Sequence, residues 1–301
     1  MYLEHFGVKE FPFSITPDTS YFFSSGASQE ALNTLLFAVR SGEGFIKITG
    51  EVGTGKSLLC RKLMASLEGE FKIAYIPNPY LEPHALFMEL ASELELDVGQ
   101  TSGLEQHQLL KMLTLNVLKI IQGGKRVLIC LDETQAMPIV TLEALRLLTN
   151  IETEKRKLLQ VVIFGQPELE DKLNHPSIRQ LKQRIAFHYH LTPLTRKEIH
   201  YYVSHRLKIA GYHGGRLFSP MALWMLQRKS NRVPRLVNIL AHKAMLSAFG
   251  KEANVVSMFD VLDAANDTDS LRKSNWVRAA QLFLLLLIGS IIAYLGWMYL
   301  Q

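Results

Sequence analysis

The sequence predicts an α/β protein, with a parallel sheet flanked by helices and a phosphate-binding P-loop, followed by a small all-helical lid domain and a C-terminal transmembrane helix. Three observations predict it. Apolar, strand-like runs alternate with helical patterns up to about residue 191, the loop GEVGTGKS follows the first of these runs, and an uncharged apolar run occupies residues 279–300. Strands that alternate with helices indicate a parallel sheet, because each parallel connection needs a crossover.

The 301 residues are expected to form five segments, and 48% hydrophobic residues is ample for a core. Residues 1–28 are rich in aromatic and turn residues, and we expect them to pack on the domain that follows, since exposing so many rings would be costly. Residues 29–192 carry the sheet pattern and residues 193–265 the helical lid. A polar and basic linker, 266–278, leads to the membrane span at 279–300.

The elements follow in order along the chain. A helix is predicted over 28–41, and strands are predicted at 45–49, 71–77, 127–131, 158–164 and 185–191. Helices are predicted between them at 58–64, 83–96, 104–122 and 139–150, with short helices up to residue 184. In the lid, a capping box from Thr195 to Glu198 opens a helix, and further helices are predicted from 219, 233 and 257.

The loop after the first strand is suited to a nucleotide's phosphates. It has the spacing G-x-x-x-x-G-K-S in full, between a strand-like run and a helical one. Its backbone N–H groups would converge on the phosphates, Lys56 would reach the β- and γ-phosphates, and the Ser57 hydroxyl would ligate Mg²⁺. The residues expected to bind ATP in this segment are Gly50, Glu51, Val52, Gly53, Thr54, Gly55, Lys56, Ser57 and Leu58.

An acidic pair follows the strand at 127–131. Asp132 is expected to hold Mg²⁺ together with Ser57, and Glu133 to polarise the water that attacks the γ-phosphate. Two solvated acids at a strand end are the alternative. With the phosphate loop upstream, the pair predicts ATP hydrolysis, with Lys56 and Glu133 as catalytic residues.

Three further residues are candidates for sensing the γ-phosphate or neutralising its charge. Gln166 follows the next strand and is placed to orient water, with a simple turn amide as the alternative. Arg184, before the last strand, would reach the nucleotide of a neighbouring subunit; Arg179 is the rival, and a surface arginine is the alternative. Arg235 opens a lid helix and would contact the phosphates from there.

The two cysteines and ten histidines show no metal-binding spacing, so we expect buried, reduced thiols and no structural metal. The net charge of +5 comes largely from the lid, where Glu198 is the single acid among many Lys and Arg residues between Arg196 and Lys251. A solvated surface, anionic lipid and DNA each remain open as explanations.

The run at 279–300 would be about 33 Å long as a helix, enough to span the hydrocarbon of a bilayer. Trp276 and Trp297 lie at its edges, where aromatic rings favour the headgroup level. Basic residues precede the run, so we expect a single-pass inner-membrane protein whose larger N-terminal part is cytoplasmic. A buried core helix is the alternative.

These residues together resemble the AAA+ ATPases of the general secretion pathway protein A (ExeA/GspA) family over nearly the whole chain. Besides the phosphate loop, the resemblance is carried by YLEHFG, PFS and TPD near the start, LDETQ at 131–135, FGQPEL at 164–169, QRI at 183–185 and VPRLVN at 233–238. It implies sensor 1 for Gln166, an arginine finger for Arg184 and sensor 2 for Arg235. It also implies ATP and Mg²⁺ as cofactors and a homo-oligomer as the active form.

The chain departs from the family in a few places. Thr134 stands where the family often has Ala, and Asn231-Arg232 where it often has glycines; we expect neither to touch the phosphates. The sequence ends after the apolar run, whereas secretion-type members carry a periplasmic peptidoglycan-binding module. We therefore expect the chain to be most like the shorter family members of the MSHA pilus type.

The sequence therefore predicts a membrane-anchored ATPase that supports assembly of a type IV (MSHA-like) pilus or a related secretion apparatus. Its expected partners are other copies of itself, further assembly proteins and the inner membrane, and nucleic acid is not expected. Two alternatives stay open. One is a DNA-associated helper ATPase of the transposase- or helicase-loader type, which the basic lid supports, and the other is a scaffold that switches slowly with nucleotide.

Overall fold

The computed structural model describes residues 2–96, 103–152 and 157–268. These residues form two compact units. Thr16–Leu194 is the first, here called the sheet unit. The residues up to Ile15, together with those from Thr195 onward, are the second, here called the helical unit.

The sheet unit is built on five parallel strands, which confirms the predicted α/β class with a parallel sheet. The strands are β1 (Phe45–Gly50), β2 (Phe71–Ile76), β3 (Arg126–Leu131), β4 (Leu159–Gly165) and β5 (Phe187–Leu191). Their order in the sheet is β2-β3-β4-β1-β5. Ile46 of β1 lies opposite Val162 of β4 and Phe187 of β5, which fixes the register on both sides of β1.

Helices cover both faces of this sheet. In chain order the helices of the protein's described residues are α1 (Tyr2–Phe6), α2 (Gly26–Ser41), α3 (Lys56–Leu67), α4 (Pro83–Glu93), α5 (Gln106–Gln122), α6 (Ile139–Leu148), α7 (Glu168–Leu173), α8 (Arg179–Lys182), α9 (Glu198–Ile209), α10 (Pro220–Lys229), α11 (Pro234–Gly250) and α12 (Met258–Asn266). α2 and α3 share a core with one face, and α4 to α8 share a core with the other.

The sequence of β3 shows why the sheet is covered on both sides. Ile129 and Leu131 enter the core with α4 to α8, while Leu128 and Cys130 enter the core with α2 and α3, so the whole strand is apolar. Cys130 is buried, as is Cys60 of α3, and both are free thiols. The Cys60 thiol hydrogen-bonds to Cys130, which together with burial raises the pKa of Cys60 well above its usual value.

The strand order places the candidate site. Because the strands are parallel, their carboxyl ends meet at one edge of the sheet. The phosphate loop leaves this edge from β1, Asp132 from β3 and Gln166 from β4. Since β4 lies between β3 and β1, the three sequence motifs are neighbours in space.

The helical unit shows the predicted cap at the start of α9. The Thr195 backbone N–H donates to Glu198 Oε2 at 2.7 Å, and the Glu198 N–H donates to Thr195 Oγ1 at 3.3 Å. α10 begins after Ser219, whose hydroxyl accepts the Ala222 N–H at 3.1 Å. These side chains satisfy N–H groups that have no partner within the helix.

The aromatic N-terminal segment is divided between the two units. Residues up to Ile15 belong to the helical unit, and those from Thr16 belong to the sheet unit. There the Phe13 ring meets Phe218 edge to face at 5.8 Å. The buried Arg206 donates to the carbonyl oxygens of Pro12 at 2.6 Å and Ser14 at 3.1 Å. The physical reason is that a buried guanidinium needs acceptors, which this segment supplies.

Within residues 2–96, 103–152 and 157–268, no helix combines the length and apolar character needed to cross a bilayer. The membrane span predicted at 279–300 lies outside the described residues and stays a prediction.

Candidate nucleotide site

Two glycines shape the phosphate loop. Gly53 has φ +80° and Gly55 has φ +102°, both in the left-handed region that favours glycine. Gly55 immediately precedes α3, and no side chain caps the helix at that position. The first N–H groups of α3 therefore remain available beside the loop, as a bound phosphate requires.

Close packing around position 50 leaves room only for glycine. A Cβ atom there would lie 2.8 Å from the carbonyl oxygen of Leu191 and 3.0 Å from the hydroxyl of Thr54. The buried Thr54 in turn donates its hydroxyl to the Glu51 carbonyl at 2.8 Å. The end of β1, the end of β5 and the loop thus meet where only glycine fits.

Lys56 is a buried cation, and no acid among the residues that the structure describes forms an ion pair with it. Its side chain is 5% exposed, and Nζ donates to the carbonyl oxygens of Gly50 at 2.8 Å and Glu51 at 3.1 Å. Burial lowers the pKa of Lys56, and the nearby charges of Glu133 and Asp132 oppose that shift. A buried ammonium bound only to neutral oxygens fits a phosphate group, which would compensate its charge.

Ser57 and Asp132 form a pair of oxygen ligands beside this lysine. Asp132 is 2% exposed and accepts the Glu133 backbone N–H at 2.9 Å. Burial raises the pKa of Asp132, and the hydrogen bond from the Ser57 hydroxyl opposes that shift. A carboxylate and a hydroxyl in contact are the hard donors that Mg²⁺ prefers, so these residues fit the metal.

Glu133 is held by two amides. Its backbone has φ +50°, which is uncommon outside glycine. Its Oε2 accepts hydrogen bonds from Gln135 Nε2 and, at 3.0 Å, from Gln166 Nε2. Gln135 Oε1 accepts the Gln166 backbone N–H at 3.0 Å, which closes a ring of three residues. Gln135 is not among the predicted site residues, and its position two residues after an acid is a weak signal.

Three arginines complete the predicted site residues. Arg184 precedes β5, at the opposite edge of the sheet, and donates to the Thr149 hydroxyl. Its rival Arg179 is exposed in α8. Arg235 is exposed in the first turn of α11, in the helical unit. The structure thus brings together Lys56, Ser57, Asp132, Glu133 and Gln166 but not Arg184.

Comparison with known proteins shows what the segment that holds this site is similar to. A family model described as an AAA domain matches residues 39–173, which include Lys56, Asp132 and Gln166. General secretion pathway protein A of Aeromonas hydrophila is 38% identical over 297 residues, which is 99% of this chain and 53% of that protein. The chain therefore spans about half the length of this curated relative.

The chain is thus similar to this relative over nearly its whole length and to the AAA-domain model over residues 39–173. Two solved structures share the fold. One is the ORC2 protein of Aeropyrum pernix, solved as ADPNP-ADP complexes, with TM-score 0.59 and 19% identity, covering 81% of this chain and 67% of that one. The other is Cdc6p from Pyrobaculum aerophilum, with TM-score 0.63 and 19% identity, covering 79% of this chain and 66% of that one.

Proposed function

We propose that this chain is an AAA+ ATPase, anchored in the inner membrane, that hydrolyses ATP to support assembly of a type IV (MSHA-like) pilus or a related secretion apparatus. The observation that carries the enzymatic part is the meeting of a buried lysine, a Ser–Asp pair and an amide-held glutamate at one edge of the sheet. Phosphoryl transfer requires a positive charge beside the phosphates, ligands for a metal ion and a residue that orients water. The lysine, the Ser–Asp pair and the glutamate match these three requirements in that order.

The residues divide this work among them. Lys56 and the backbone of residues 50–58 bind the phosphates, while Ser57 and Asp132 would hold Mg²⁺, which would supply positive charge to the phosphates. Glu133 orients and polarises the attacking water. Gln166 and Gln135 position the Glu133 carboxylate, since both donate to the same oxygen. Arg235 is the proposed sensor 2, from the helical unit.

The cellular role is supported by other observations. The similarity to general secretion pathway protein A of Aeromonas hydrophila supports a secretion-related role. The ORC2 structure was solved with ADPNP and ADP, which supports an adenine nucleotide as the ligand. The apolar run at 279–300 supports a single-pass anchor with the AAA domain in the cytoplasm. The resemblance of the sequence motifs to the general secretion pathway protein A family supports the pilus type and a homo-oligomer.

A pair of variants tests the enzymatic proposal. Lys56→Ala removes charge-assisted hydrogen bonds worth about 1.5–3 kcal/mol, so ATP affinity should fall about ten- to hundredfold. Glu133→Gln should bind ATP normally, because it keeps the shape of the side chain, but turnover should fall on the order of 10²- to 10⁴-fold. Nucleotide binding and phosphate release, each measured with Mg²⁺, check both expectations.

Glu89→Gln is the matched control, since Glu89 is an exposed acid of α4 away from the loop, and both measurements should stay at the wild-type level. Tight ATP binding by Lys56→Ala would refute the assignment of the loop. Unimpaired phosphate release by Glu133→Gln would remove that residue from the reaction.

A further inference from the structure

Two adjoining cavities open on the helical unit, and no predicted site residue is among the residues that line them. Their volumes are about 380 and 340 Å³. α9 and α10 form two walls, and the loop between these helices forms the third. His200, Arg216, Phe218 and Leu223 line both cavities, so we treat them as one feature, here called the lid groove.

The lid groove is positively charged. Arg196 lines one cavity, Lys208 the other and Arg216 both. No Asp or Glu occurs anywhere between Ile199 and Lys251, and neither cavity has an acidic lining residue. Across the described part of the chain, no acid forms an ion pair with any of these three cations. Three like charges therefore face a shared space without compensation.

Other cations of the helical unit are used within the fold. Arg206 is buried and donates to backbone carbonyls, Lys243 pairs with Asp267 at 2.8 Å, and Lys251 pairs with Asp260 at 2.7 Å. The three groove cations differ because the described structure gives them no such partner. A ligand with negative charge would supply one.

The groove also has apolar and aromatic lining residues beside its polar ones. Phe218 is 3% exposed, and Leu223 lies beside it on both cavities. The ring of Trp224 is 42% exposed at the rim, with the Arg228 guanidinium 5.0 Å from its centroid. A fitting ligand thus carries a phosphate next to a non-polar part. We propose that the lid groove binds the headgroup of an anionic phospholipid.

The position of the groove in the chain favours a lipid over a nucleic acid. The helical unit continues past Thr268 into residues 269–278, which precede the predicted span. Ten residues reach at most about 35 Å, so a span at 279–300 would keep this unit close to the headgroups. This step rests on the membrane anchor of the proposed function. Cations near an anionic leaflet gain attraction, and tryptophan favours the headgroup level.

Soluble short-chain lipids give a test that needs neither a bilayer nor ATP hydrolysis. The full chain in a non-ionic detergent is titrated calorimetrically with dihexanoyl phosphatidylglycerol and, in parallel, with dihexanoyl phosphatidylcholine, inorganic phosphate and a single-stranded oligonucleotide. We expect phosphatidylglycerol to bind at least about tenfold more tightly than phosphatidylcholine or phosphate. The triple variant Arg196→Gln, Lys208→Gln, Arg216→Gln should lose that preference.

The matched control changes the same charge elsewhere. Lys111→Gln, Lys119→Gln and Lys125→Gln remove three exposed lysines in or after α5, in the sheet unit, and should leave lipid binding unchanged. Arg216→Lys, which keeps the charge at an exposed site, should also bind phosphatidylglycerol, even if the triple variant folds poorly.

Equal binding of the two lipids, or full binding by a folded triple variant, overturns the proposal. Binding of the oligonucleotide or of phosphate alone through these cations overturns it in favour of that ligand. ATP binding, measured on the same samples, tests the proposed function separately.

Discussion

At the scale of single residues, the glutamate of the candidate site is restrained by hydrogen bonds to neutral groups. Gln135 and Gln166 both donate to Oε2 of Glu133. The left-handed backbone of Glu133 costs on the order of 1–3 kcal/mol and persists only where surrounding contacts hold it. The two amides are such contacts, so the direction of the carboxylate depends on them.

Gln135→Leu tests this dependence. The change removes a donor to Glu133 and the acceptor for the Gln166 N–H while keeping a similar volume. A hydrogen bond to a charged group is worth about 1.5–3 kcal/mol, so kcat should fall about ten- to hundredfold. KM for ATP should stay near the wild-type value, because Gln135 contacts neither Lys56 nor Ser57 in the described structure. Steady-state kinetics separate the two constants.

Gln180→Leu is the control for that experiment, since Gln180 is an exposed amide in α8. Its kcat and KM should match the wild type. A Gln135→Leu enzyme that loses ATP affinity at unchanged kcat would contradict a role for Gln135 in placing the glutamate.

The sequence predicts residues of this site unequally well. Lys56 and Ser57 are predictable because consecutive glycines and a lysine at fixed spacing have few other uses. The contact of Gln135 with Gln166 joins residues 31 positions apart. It exists because β3 and β4 are neighbours in the sheet, and no local pattern reveals that order.

At the scale of elements, caps decide where the helices of the second unit begin. α12 starts after Ser257, whose hydroxyl and backbone N–H both contact Asp260 Oδ2, at 2.6 and 2.9 Å. Lys251 donates to Oδ1 of the same carboxylate at 2.7 Å. Burial pushes the pKa of Asp260 up, but the hydrogen bonds with Lys251 and Ser257 outweigh it and lower the pKa to about 2.

Asp260→Asn should therefore destabilise the fold at neutral pH. The loss of the cap and of the charged hydrogen bonds is expected to cost about 1–3 kcal/mol of unfolding free energy. Since the folded pKa lies below the unfolded value of about 3.9, the ionised carboxylate stabilises the fold above pH ~4, and this contribution disappears as pH falls towards 2. The difference between variant and wild type should shrink over that window in thermal unfolding curves.

Asp263→Asn provides the comparison, because Asp263 also meets Lys251 but its side chain is 59% exposed. Its effect should stay within about 0.5 kcal/mol. An Asp260→Asn protein as stable as Asp263→Asn at neutral pH would show that the cap contributes little.

The N-terminal segment shows where element-level prediction stops. Its rings indicate burial, since apolar surface of that size is costly to expose. They do not indicate which surface covers them. That choice depends on Arg206, which lies 194 positions beyond Pro12 in sequence and takes its carbonyl oxygen as an acceptor. Alternation and caps predict elements well, because both are local, whereas partners across the fold are not.

At the scale of the whole molecule, the sheet separates the site from Arg184. Phe187 of β5 lies opposite Ile46, near the amino end of β1, whereas the loop that carries Lys56 leaves the carboxyl end of β1. The four steps from Ile46 to Gly50, the last residue of β1, span about 13 Å. Arg184 precedes β5, so its guanidinium lies at the far edge from the loop of its own chain. An arginine finger at this position has to act on a neighbouring subunit.

Mixing two inactive variants tests that requirement. Arg184→Ala should keep ATP binding but lose turnover on the order of 10³-fold or more, because a finger stabilises charge that forms only during the reaction. Lys56→Ala subunits bind little ATP but still carry Arg184. If the finger acts between subunits, mixing the two proteins should restore phosphate release well above the sum of the separate samples.

Arg179→Ala, which removes the exposed rival in α8, should remain active by itself. No restoration in a mixture shown by light scattering to contain oligomers would exclude Arg184 as the finger. An inactive Arg179→Ala that is restored by Lys56→Ala would transfer the role to that residue.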